Sequence, residues 1–104
     1  MGKGNVMSYD VEVMGEWFNY TSNMRAFFID FDVYPQDWDG LHRAVVADRI
    51  RTGLQNIRAN RLETLATEYN SPNGWGKVEN AIPWLESVLA ACEKEPPSEI
   101  VRVS

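Results

Sequence analysis

The chain has 104 residues, enough to enclose one hydrophobic core and too few for two. Its 44% hydrophobic and 24% charged residues, with twelve aromatics, exclude intrinsic disorder. A formal net charge of −5 disfavours nonspecific binding to nucleic acid, because neutralising phosphates requires a basic face.

The single cysteine, Cys92, has no partner for an internal disulfide, and no Cys/His cluster surrounds it that would hold zinc. That usage fits a reducing compartment. There is no long apolar run to span a bilayer and no charged-then-apolar leader, so the expected location is the cytoplasm. Residues 1–7 read as a flexible leader and 8–104 as one α+β domain.

In chain order, Tyr9, Val11 and Val13 alternate with Ser8, Asp10 and Glu12, the period of a half-buried strand. Gly15-Glu16 suits a two-residue turn with glycine first, which predicts a hairpin returning over Trp17 to Tyr20. Thr21, Ser22 and Asn23 are good N-caps for a short helix over Met24 to Ile29. Asp30 to Gly40, with four Asp and Pro35, reads as a loop carrying Tyr34 and Trp38, and Asp39 is placed to cap the next element.

The longest predicted helix spans Leu41 to Ala59, with Val46, Ile50, Leu54 and Ile57 on one stripe. Arg51 and Arg58 flank one margin of that stripe and Arg49 the other, positions where arginine stems cover apolar surface while the heads stay wet. A short helix over Arg61 to Tyr69 is broken by Asn70-Ser71-Pro72-Asn73-Gly74. Val78, Ile82, Leu85, Leu89 and Cys92 then form the most regular stripe, with Pro83 implying either a start near Asn80 or a bend. On that stripe Cys92 reads as a small buried side chain. Pro96-Pro97 ends the helix, and Glu99 to Val103 reads as a last strand. The predicted fold is a small antiparallel sheet, made by the N-terminal strand or hairpin and the C-terminal strand, packed against three or four helices.

Motifs for catalysis are thin. His42 is the only histidine, and Asp30 and Asp32 make a carboxylate pair that a divalent ion would accept, so a metal-dependent hydrolase using these three is one reading. No HExxH, phosphate loop or nucleophile elbow accompanies them, and neither a cofactor nor a bound metal is expected. A second reading presents Asp30, Asp32, Asp37 and Asp39 to the basic groove of a nucleic-acid-binding enzyme.

Two further segments mix aromatics with amide and hydroxyl side chains: Trp17 to Met24, and Asn70 to Gly76. Such a mixture stacks and orients a planar polar ligand, or else caps helices and locks two segments together. Through Asn19-Tyr20-Thr21-Ser22-Asn23-Met24 and Asn73-Gly74-Trp75-Gly76 the chain resembles a family of small proteins encoded by phages and prophages. The likeness in layout runs over nearly all of the chain after Met7 and brings no established activity with it. It implies an accessory binding protein, without catalysis, that counteracts host defence. The expected ligand-binding residues are Trp17, Asn19, Tyr20, Thr21, Asn23, Arg51, Asn73 and Trp75, the expected partner is a host protein or a small nucleotide-like signal, and self-association stays open.

Overall fold

A computed structural model describes residues 8–70, 74, 76–94 and 100–104. The fold is α+β. A hairpin of β1 (Ser8–Val13) and β2 (Glu16–Thr21) leads through a single 3-10 turn, Ser22–Met24, into α1 (Arg25–Asp30). A second 3-10 turn, Pro35–Trp38, precedes α2 (Arg43–Arg58), α3 (Leu62–Tyr69), α4 (Val78–Cys92) and β3 (Arg102–Val103). The sheet order is β2-β1-β3, antiparallel throughout, so the first strand lies in the middle. No helix among the described residues is long and apolar enough to cross a membrane. The expected leader, Pro96-Pro97 and Glu99 fall outside the described residues.

The hairpin turns one residue earlier than expected. Met14 (φ 52°) and Gly15 (φ 84°) are the two central residues, both left-handed as a type I′ turn requires, and Glu16 opens β2. Glycine fits the second position at no steric cost. This register pairs Tyr9 with Tyr20, Val11 with Phe18 and Asp10 with Asn19.

Alternation sends Tyr9, Val11, Val13 and Val103 into the core, where α4 packs against the sheet and α2 packs chiefly on α4. Because α4 lies between two layers, its apolar surface is wider than one stripe. Val78, Ala81, Leu85, Val88 and Cys92 are buried, while Ile82 and Leu89, expected on the central stripe, are half-buried beside it. The helix starts at Val78 and not near Asn80, with the Lys77 carbonyl accepting from Asn80 and Ala81. Pro83 therefore sits in the second turn, and its exposed position lets water reach the carbonyl its missing N–H leaves free.

The Asp30 to Gly40 loop contributes more than turns: Trp38 is fully buried and stacks on Trp84 at 6.2 Å and 16°. Asp39 does not cap α2. Its carboxylate accepts from the Val103 N–H at 2.9 Å, and His42 takes the capping role, its Nδ1 accepting from the Ala44 N–H at 3.3 Å. The core also holds Arg43, fully buried at the start of α2 and donating through Nη1 to the Ala91 and Cys92 carbonyls that end α4. A guanidinium there complements the negative end of that helix.

Candidate functional site

Strand alternation divides the first motif between two faces of the sheet. Tyr20 points inward with Phe18, its ring 5.4 Å from Trp84 and 5.9 Å from Phe28, and its hydroxyl donates to the Lys77 carbonyl at 3.1 Å. Burial raises its pKa above the ordinary phenol value. Trp17, Asn19 and Thr21 point the other way. Trp17 and Tyr20, expected on one surface, thus face opposite directions.

The outward face is laid out in rows across the strands. Trp17 on β2, Glu12 on β1 and Arg102 on β3 are directly opposite one another. The indole is 61% exposed, and Arg102 is exposed and joins no ion pair among the described residues. In the next row Asn19 faces Asp10, and the Asn19 amide donates to Asp10 Oδ1 at 2.7 Å, to Ser8 Oγ at 3.2 Å and to the Tyr9 carbonyl at 3.4 Å. Three acceptors hold the amide nitrogen, so its carbonyl oxygen is presented in a fixed direction. Asp10, Glu12 and Arg102 were not expected in the site. The signal for them was present in the sequence, since the alternation that buries Tyr9, Val11 and Val103 puts these three on the other side.

The rest of the first motif meets the second. Thr21 caps the 3-10 turn by accepting from the Asn23 N–H at 3.2 Å. A side chain on Gly76 would lie 3.0 Å from Met24 Cγ, 3.2 Å from Met24 Sδ and 3.4 Å from Asn23 Cβ, so the segment before α4 seats closely against the turn and an added methyl would press on Met24. Asn70, read from the sequence as a breaker, accepts the first N–H of α4 from Val78 at 2.8 Å. The seat of Gly76 against Met24 and Asn23, with the Tyr20 to Lys77 bond beside it, brings the first motif against the end of the second. Asn73 and Trp75 lie outside the described residues.

Arg51 stands elsewhere. Its guanidinium donates to Asp48 and Glu93, each at 2.7 Å, and Arg58 pairs with Glu86, so the arginines along one margin of α2 meet the carboxylates of α4. The acidic loop is dispersed as well. Asp30 accepts from the Tyr69 hydroxyl at 2.6 Å, which pushes that phenol up to about 12, while Asp32 occupies a left-handed turn at φ 58° and Asp39 serves β3. Among the described residues no three His, Cys, Asp or Glu side chains group to hold a metal. Cys92 is buried, and desolvation pushes its thiol up to about 11, a range in which it is a poor nucleophile.

Comparison with protein-family models, with curated proteins and with solved structures returned no match.

Proposed function

We propose that the chain is a non-catalytic binding protein of phage type, and that it sequesters a small nucleotide-like ligand on the outward face of its sheet. The observation that carries this reading is the row Trp17, Glu12, Arg102. Strands lie about 4.8 Å apart, so an exposed indole and a guanidinium two strands away, in no ion pair among the described residues, are separated by roughly 10 Å. A base stacks on the indole, a carboxylate accepts from sugar hydroxyls, and a guanidinium takes a phosphate. The oriented Asn19 amide adds a hydrogen bond beside the indole. The resemblance to phage-encoded proteins supports a host-defence signal as the physiological ligand.

The test is calorimetric titration with a panel of purine and pyrimidine nucleotides, followed by heat denaturation and mass analysis of what is released. Binding that weakens by about tenfold or more in Trp17→Ala and in Arg102→Ala, with the nucleotide recovered unchanged, supports sequestration. Equal affinity in the variants, or recovery of cleaved nucleotide, overturns it. The charge-mimicry reading draws less support, because Asp30 and Asp39 are both engaged within the fold.

A further inference from the structure

The two edges of the sheet differ in how they are closed. Beyond β3, the Val103 N–H is taken by Asp39 Oδ1, the Val101 N–H by the Leu41 carbonyl at 2.8 Å, and the Val101 carbonyl by the Gly40 N–H at 2.8 Å. An isolated bridge between His42 and Ile100 completes the cover. That edge is sealed.

Among the described residues the β2 edge has no such cover. In a two-residue hairpin the residues flanking the turn, Val13 and Glu16, exchange main-chain hydrogen bonds, and exchange recurs at every second pair: Val11 with Phe18, Tyr9 with Tyr20. The other side of β1 agrees, because Asp10 exchanges both of its main-chain bonds with Ser104 at 3.2 and 3.0 Å and so faces β3. The N–H and C=O groups of Trp17 and Asn19 consequently point away from the sheet, and no main-chain partner meets them among the described residues. Natural edge strands are blunted by lysine, proline, a bulge or an inward charge. From Trp17 to Thr21 β2 has none of these, and its only charge, Glu16, stands at the turn and is paired with Lys94 at 2.9 Å.

We infer that β2 pairs antiparallel with β2 of a second copy of this chain, joining two three-stranded sheets into one across a two-fold axis. Self-pairing is favoured over a foreign strand by the register. Centring the axis on Phe18 sets Trp17 opposite the partner's Asn19, so the two residues with free main-chain groups satisfy each other with four hydrogen bonds. Both are on the outward face, so that face continues unbroken from one copy to the other. No like charges come opposite within Trp17 to Thr21. The inference does not depend on any ligand.

Sedimentation of the wild-type chain over a wide concentration range should show a reversible species of twice the 11.9 kDa chain mass. Asn19→Pro removes one outward N–H and leaves the main-chain ladder to β1 in place, while losing the same side-chain bonds to Ser8, Tyr9 and Asp10 that Asn19→Ala loses, and it should abolish the dimer. Asn19→Ala keeps that N–H and should still dimerise, although it removes the amide side chain used in the ligand reading, which separates the failure of one idea from the failure of the other. Hydrogen exchange on the wild type gives a measurement independent of variant folding: the Trp17 and Asn19 amides should slow as concentration rises. A chain monomeric at every concentration, a dimer that survives Asn19→Pro, or exchange at these amides that ignores concentration would overturn the inference.

Discussion

Within six residues, β2 builds two surfaces of opposite character. The inward set is Phe18, packed against the core, and Tyr20, which joins Phe28, Trp84 and Trp38 in a run of aromatic contacts with centroids 5.4–6.2 Å apart. The outward set, Trp17 and Asn19, carries an exposed indole and a primary amide whose nitrogen is tied down. A motif read as one linear signature is therefore two functions interleaved at a period of two, and neighbouring positions in it answer to different pressures. Aromatic character alone does not separate them; the partner across the strand does.

The largest expected effect breaks the inward side. Phe28→Ala, fully buried against Tyr9, Tyr20 and Trp84, should cost about 3–5 kcal/mol by urea denaturation. Trp17→Ala, on the other face, should stay within about 0.5 kcal/mol of the wild type. Comparable losses would mean that the outward indole is packed and not offered. Next comes the seam between the motifs: Gly76→Ala should destabilise by about 1–3 kcal/mol because the new methyl meets Met24, and by less when Met24 is also shortened to alanine. Equal penalties in the two backgrounds would show that the segments do not press on each other there.

The third expectation concerns alkali. Folding favours the neutral phenol of Tyr20 and the neutral thiol of Cys92, because burial raises both pKa values. The stability they contribute is complete below the unfolded values, 10.0 for tyrosine and 9.0 for cysteine, and is lost as pH rises through the folded ones, about 11 for Cys92. Thermal midpoints should thus fall from about pH 9 upward, less steeply in Tyr20→Phe and unchanged in slope in Trp17→Ala. An identical alkaline limb in Tyr20→Phe would remove Tyr20 from the inward set. The smallest effect belongs to the α2–α4 margin, where exposed pairs are screened: Arg51→Gln should move the midpoint least of these variants, and salt at about 1 M should erase the difference.

Periodicity made the sheet and helices legible from residue order. Alternation over Ser8 to Met14 and the spacing of Val46, Ile50, Leu54 and Ile57 depend only on which side of an element meets the core, and the structure buries Tyr9, Val11 and Val13 together with those four helix residues. Three features were not legible, each for a physical reason. The turn was misplaced by one residue because Met14 adopts a left-handed conformation that its side chain does not advertise. The duty of Asp39 was missed because its acceptor role depends on β3, 64 residues away in sequence. Arg43 was missed because a charged residue at a helix start reads as solvated, whereas here it is buried with two carbonyls at the end of α4 accepting from Nη1, while Nε and Nη2 find no partner among the described residues. In the candidate site, Trp17 and Asn19 were legible as residue types, but Glu12 and Arg102 become their neighbours only once the strand order is known.

Arg43 also bears on when the molecule can assemble. Its hydrogen bonds span 48 and 49 residues, and the central strand β1 pairs on one side with β3, so both the buried charge and the sheet wait for segments made late. A nascent chain that has produced the hairpin and α2 but not α4 holds a cation with no carbonyls to receive it and a sheet lacking an edge. Local helices can flicker at that stage, but the cooperative transition belongs to the chain that includes β3.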